Sequence, residues 1–240
     1  MTYIKKNKVK MFIPNILLVL FVLITSVIGN AQECEMFSPT KTAVTLEYSS
    51  FDKDGNLQSK SKHIVKDVIS EGSAMLVDIE LLNYTKDGKK NLTTGYSAEC
   101  QNGVFYMDML RYFDMNKLAT QESLDMEIEG TYLPFPKNMT ESSDLQDGEV
   151  AIHISSNGEL FGTMTMKITN RKMIGKEKIT TPVGSFDCYK ISHAHNSYFG
   201  NSTGNGTTTE WYAENIGVVK SESYNNQNVL ISYTELTSKK

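Results

Sequence analysis

The strongest constraint on this chain is a hydrophobic rhythm of two. Val44, Leu46 and Tyr48 alternate with Thr45, Glu47 and Ser49, and Met75, Val77, Ile79 and Leu81 have a partly polar opposite side. Leu124, Met126 and Ile128 alternate with Asp125, Glu127 and Glu129. The pattern returns in Val150, Ile152 and Ile154, in Leu160, Met164, Met166 and Ile168, and in Val229, Ile231 and Tyr233. Successive side chains of a strand point to opposite faces, so this period predicts strands with one dry and one wet face. Turn signals separate the runs: DKDGN at 52–56, TKDGK at 85–89, QNG at 101–103, SSNGE at 155–159 and YNNQN at 224–228. Such turns join antiparallel neighbours, whereas parallel strands need long crossovers. The expected fold is therefore all-β, an antiparallel meander. Half-buried strands need a second layer or a sheet curved onto itself, which leaves a barrel, a half-barrel or a sandwich. At most one or two short helices are expected, and MLRYFDMNKLATQ at 109–121 is the candidate.

The first residues set the compartment. Lys5, Lys6, Lys8 and Lys10 precede an apolar run from Ile16 to Ile28, with Gly29 and Ala31 at the small-residue positions of a cleavage site. This reads as a signal peptide over 1–31, cut after Ala31, leaving one β-domain over 32–240. A retained anchor is disfavoured because a span needs about 20 apolar residues and Pro14 and Asn15 interrupt this one. A periplasmic or secreted location follows, with no transmembrane anchor after cleavage. Four lysines and no acid leave with the leader, so the formal charge falls from −4 to −8. That acidity argues against nucleic acid or an anionic lipid surface as partner.

Three cysteines, Cys34, Cys100 and Cys188, follow the cut, in a setting where a disulfide persists. Pairing Cys34 with Cys100 would pin the irregular N-terminal segment to the sheet and is preferred, although spacing alone does not fix connectivity. Cys188 is then a small buried hydrophobe. The residues before Cys34, Ala31, Gln32 and Glu33, fit a lipidation motif poorly.

TTPVGSFDCYKIS at 180–192, EWYAENIGVVKSESY at 210–224 and YSAECQNGVFYMDM at 96–109 together resemble the secreted bacterial TapB-like family of unknown function. The resemblance implies an exported protein with a strongly curved antiparallel sheet, similar to the incomplete barrels of lipoprotein carriers. It brings no catalytic residues. Pro182 with Gly184, and Gly217, read as turn punctuation in these segments.

Motifs for chemistry are sparse. His193 and His195 share a strand face, as metal ligands would, but a third ligand must come from His153, His63 or Glu210 through folding. No nucleophile elbow, calcium loop or phosphate loop is complete, so neither a cofactor nor an enzymatic activity is expected. The segment GNSTGNG at 200–206 reads as a surface loop. Sequons at Asn83, Asn91, Asn138, Asn201 and Asn205 are expected by chance in so polar a chain. Trp211 reads as a buried plug or, alternatively, a ligand-stacking platform. Met107, Met109, Met164 and Met166 fill a core or line an apolar cavity. The function expected is an exported, non-enzymatic envelope protein holding an apolar or lipid-like molecule in a concave sheet. The alternative is an interaction module of a surface or secretion assembly, with an envelope protein as partner.

Overall fold

The computed structural model describes residues 34–112 and 125–240; the leader and most of the expected helix at 109–121 lie outside them. The described residues form thirteen strands: β1 (Thr45–Asp52), β2 (Leu57–Glu71), β3 (Ala74–Thr85), β4 (Lys90–Gln101), β5 (Val104–Asp108), β6 (Asp125–Gly130), β7 (Tyr132–Phe135), β8 (Gly148–Ser156), β9 (Glu159–Thr181), β10 (Gly184–Phe199), β11 (Ser202–Ala213), β12 (Gly217–Tyr224) and β13 (Leu230–Lys239). The described part of the helix candidate is a single 3₁₀ turn at Met109–Tyr112.

All thirteen strands make one antiparallel sheet in the order β6-β8-β9-β10-β11-β12-β13-β1-β2-β3-β4-β5-β7. Chain neighbours pair as a meander, and β13 returns to pair with β1. The two edge strands, β6 and β7, are consecutive in the chain, so the backbone steps from one edge to the other through Thr131. There the Thr131 amide donates to the Glu149 carbonyl at 2.9 Å, and its hydroxyl accepts from the Glu149 amide at 3.1 Å. The curved sheet is thereby nearly closed as a barrel.

The turn chemistry explains the register. Asn102 with Gly103, and Asn157 with Gly158, adopt paired positive φ, the conformation that matches the twist of a two-residue hairpin. In the first hairpin the Asp52 carboxylate accepts from the amides of Asp54 and Asn56, and Gly55 takes φ of 83°. Register shifts after Lys190 and Ser192 bend the long β9–β10 ribbon, as bulges do.

The inward rows of the barrel supply much of the buried apolar core. Val77, Ile79 and Leu81 of β3 and Val150, Ile152 and Ile154 of β8 are buried as the rhythm predicts. Phe37 enters the barrel from the N-terminal segment and meets the rings of Phe105, Phe135, Tyr189 and Tyr212 at 5.3 to 5.8 Å. Cys34 is disulfide-bonded to Cys100 in β4, and the Asn215 amide donates to the Met36 carbonyl, so this segment is tied to two walls. Gly217 permits the approach: a Cβ there would lie 2.9 Å from the Phe37 carbonyl oxygen.

Four expectations are corrected. Val229 and Ile231 are exposed, and Thr234 of β13 turns inward instead. Met126 and Ile128 are exposed on β6, an edge strand that among the described residues pairs with β8 alone, and Leu124 of the same run lies outside the described residues. Leu160 is 67% exposed at a hairpin tip, so the buried row of β9 starts later. The segment 200–206 is not a loop: Gly200 supplies a turn of positive φ, and Asn205 and Gly206 pair with Asn196 and His195 in the β10–β11 ladder. Backbone hydrogen bonds build such a ladder without apolar side chains.

Candidate functional site

The inward rows do not fill the barrel, and a cavity of about 550 Å³ remains. Its wall is apolar where Leu46, Val65, Ile79, Leu81, Met166 and Ile168 project into it, and polar where serines, threonines, tyrosines and histidines do. Along β1 the inward series runs Leu46, Tyr48, Ser50. Along β2 it runs Val65, His63, Ser61, Ser59, and along β3 it runs Ile79, Leu81, Asn83. Each strand thus passes from apolar to polar towards the same end, the end of the hairpin turns at 52–56 and 85–89.

A buried charge pair crosses this wall. The Arg111 guanidinium donates to Glu210 Oε1 at 3.1 Å and faces the rings of Tyr112 and Tyr212. The other carboxylate oxygen accepts from Tyr112 at 2.9 Å and from Tyr212 at 2.7 Å. Burial alone would raise the Glu210 carboxyl, but Arg111, His193 and the two hydroxyls outweigh it and hold it below its ordinary value. His193 is buried with Nδ1 3.9 Å from the same carboxylate. Burial depresses its imidazole to about 4 despite Glu210, with Arg171 adding to the effect, so it is neutral near pH 7.

A second polar chain links Ser61, His63 and Tyr96, with Oγ to Nε2 at 3.3 Å and Nδ1 to the phenol oxygen at 2.8 Å. It has the outline of a nucleophile and base. Enclosure within the barrel, then the Arg111 charge, hold His63 down to about 3. An imidazole so reluctant to take a proton is a poor general base at neutral pH.

His193 and His195 do share the inward face. Among the described residues, however, no three His, Cys, Asp or Glu side chains are placed to hold a metal ion. His195 instead shares a 3.3 Å hydrogen bond with Thr208, and Gly206 leaves the space its ring occupies. Of the methionine candidates, Met166 lines the cavity, whereas Met164 packs in the core among residues such as Ile152. Trp211 as a stacking platform is corrected: it lies on the opposite face of β11 from Glu210 and Tyr212. Its indole N–H donates to Glu177 at 2.9 Å and its ring sits between the ammonium groups of Lys190 and Lys220. Cys188 is buried and unpaired, its thiol pushed up to about 11 by burial, which suits packing and not nucleophilic attack.

Sequence reading missed Arg111, Tyr112 and the inward serines. Arg111 sits in the stretch read as a helix. Ser50 extends the dry row of Leu46 and Tyr48 with a polar residue, and Ser59, Ser61 and Ser221 lie outside the alternating runs.

No helix of the described residues is long and apolar enough to cross a membrane. No curated protein matches the chain. Solved structures similar to it include the following two. One, from Bacteroides fragilis NCTC 9343, is described as exported with a YmcC-like fold; identity is 26% and the TM-score 0.75, over 86% of this chain and 100% of that one. The other, from Parabacteroides distasonis ATCC 8503, is described as a lipoprotein; identity is 28% and the TM-score 0.75, over 87% and 100%. With the barrel, its disulfide and its incompletely filled interior on record, the match over residues 41–236 settles the grouping: this chain belongs to the DUF3108-like family.

Proposed function

We propose that the chain is an exported, non-catalytic envelope protein that holds an apolar or lipid-like molecule inside its barrel. The observation that carries this reading is the cavity of about 550 Å³, apolar at Leu46, Val65, Ile79, Leu81, Met166 and Ile168, inside the usual range of about 300–1,000 Å³ for small-molecule sites. Support for export comes from the leader-like first 31 residues, with the mature domain over 32–240. The resemblance of 96–109, 180–192 and 210–224 to TapB-like proteins fits the same setting, as do the descriptions of the two similar structures. The lipoprotein description is not extended to Cys34, whose sulfur is bonded to Cys100.

The test is uptake of N-phenyl-1-naphthylamine, an uncharged dye that fluoresces in apolar surroundings, beside extraction of protein purified from its native envelope. Saturable uptake that Met166→Trp abolishes, or a co-purifying lipid, is expected. A folded protein that takes up no dye and yields no lipid would end this reading.

One observation favours the second reading, an accessory that docks an envelope protein partner. Leu160 and Phe161 stand 67% and 65% exposed together at the β8–β9 tip. In-cell crosslinking through Phe161 would then give one defined protein adduct, and its absence would remove this reading.

A further inference from the structure

Resting on the cavity reading above, the geometry points to an uncharged, single-chain amphiphile with a hydroxyl-bearing head as the ligand, in preference to a free fatty acid or another anion. Two independent features carry this. The first is a belt of hydroxyls in register. Ser59 of β2 pairs with Ser50 of β1, Ser50 with Thr234 of β13, and Thr234 with Ser221 of β12. All four side chains line the cavity, and Ser50 and Thr234 hydrogen-bond each other at 2.8 Å. Four adjacent strands therefore present one hydroxyl each to the interior along a single row. Hydroxyls both donate and accept, so such a row suits a ligand head that does the same. In the strand direction, the same wall turns apolar at Leu46, Val65 and Ile79, which suits a hydrocarbon chain joined to that head.

The second feature is charge. Among the described residues lining the cavity, Arg111 and Glu210 are the only Lys, Arg, Asp or Glu, and they are paired with each other at 3.1 Å. Arg171, the other buried guanidinium, is not part of the lining; it donates to the carbonyls of Pro134 and Gln146. An incoming carboxylate would lose its hydration and meet a cation already neutralised, with the Glu210 carboxylate beside it. Burying a charge without its own partner is strongly unfavourable. An uncharged hydroxylated head meets no such cost.

The experiment displaces bound N-phenyl-1-naphthylamine with monolauroylglycerol and with lauric acid at pH 7.5, which share one acyl chain and differ in the head. Monolauroylglycerol is expected to compete at least tenfold more strongly. Thr234→Val is expected to weaken monolauroylglycerol at least fivefold relative to lauric acid, and Ser221→Ala, a smaller change, to weaken it in the same direction. Circular dichroism and melting temperature confirm that the variants fold. Lauric acid competing equally well or better would overturn the inference while leaving an apolar-ligand cavity intact, as would unchanged monolauroylglycerol binding in both folded variants. Failure of the wild-type protein to take up the dye or either lipid would instead remove the cavity reading itself, and this inference with it.

Discussion

Glu210 accepts on both carboxylate oxygens inside the barrel, from Arg111 on one and from Tyr112 and Tyr212 on the other. Removing one member of a buried pair strands the other charge and typically costs about 3–5 kcal/mol, whereas replacing both by apolar groups of similar volume is often close to neutral. Glu210→Leu should therefore destabilise by about 3–5 kcal/mol in urea unfolding, and Arg111→Met with Glu210→Leu should recover most of that loss. A double variant as unstable as the single one would mean that the tyrosine contacts, not the charge pair, carry the effect. Part of this site is legible in the sequence. His193 with His195, and Met166 with Met164, stand out by residue type and by shared strand face, and Glu210 only as one candidate for a third ligand. Arg111 does not, because a lone arginine in MLRYFDM has no pattern to mark it, and its partner lies 99 residues away in the chain. Ser50, Ser59, Ser221 and Thr234 were hidden for a different reason: Thr234 falls among the polar alternates of an apolar run, Ser50 continues the row of Leu46 and Tyr48 as a polar residue, and Ser59 and Ser221 lie outside any alternating run.

At the level of elements, the seam where β6 passes into β7 depends on Gly148. A Cβ there would lie 2.5 Å from Leu133 Cδ2 and 2.6 Å from Met109 Sδ, and both of those side chains are fully buried. Gly148→Ala should cost about 1–3 kcal/mol, the usual range for forcing extra volume into a packed core. Gly162→Ala serves as the comparison, since its nearest neighbour, Phe199, is 3.5 Å away and the added methyl makes ordinary contact; the two unfolding midpoints should differ clearly in urea. The N-terminal segment is held differently. The Cys34–Cys100 bridge joins residues 66 positions apart, and opening it should cost about 2–5 kcal/mol. Replacing both cysteines by serine and comparing unfolding midpoints checks this; an unchanged midpoint would mean that Phe37 and its ring contacts hold the segment unaided. Hairpins were the most legible elements, because Asn-Gly and Asp-Gly turns act locally. The start of β11 was not, because its Gly, Ser and Thr residues resemble a loop in composition and become a strand only by pairing with β10. Nor did local signals show that β6 and β7 would be opposite edges of one sheet.

For the whole molecule, enclosing neutral histidines ties stability to pH. Burial holds His63 to about 3 and His193 to about 4 in the folded protein, while both return to about 6.5 on unfolding. Their folded values are depressed, so above pH 6.5 both states carry neutral rings and the histidines contribute no pH dependence. As pH falls below that point the unfolded chain takes up protons that the folded barrel refuses, and stability is lost. Each refused proton contributes a slope of about 1.4 kcal/mol per pH unit, so the two together give about 3 kcal/mol per unit at most, extending down towards the folded values. His195, half-enclosed and also lowered by burial, acts in the same direction. Asp108 opposes it, since burial raises its carboxyl and the folded state takes up that proton first. Glu210 enters only at lower pH, because its folded value is depressed and its contribution is lost as pH falls below the range of an unfolded carboxyl. Urea unfolding between pH 7 and pH 5 should therefore show a midpoint that falls steadily below pH 6.5. His63→Gln and His193→Gln should each flatten the decline whatever they do to stability at pH 7. A wild-type midpoint independent of pH over this interval would mean that the cavity is hydrated enough to let both imidazoles titrate as they do in water, and that the barrel interior is far more polar than its walls imply.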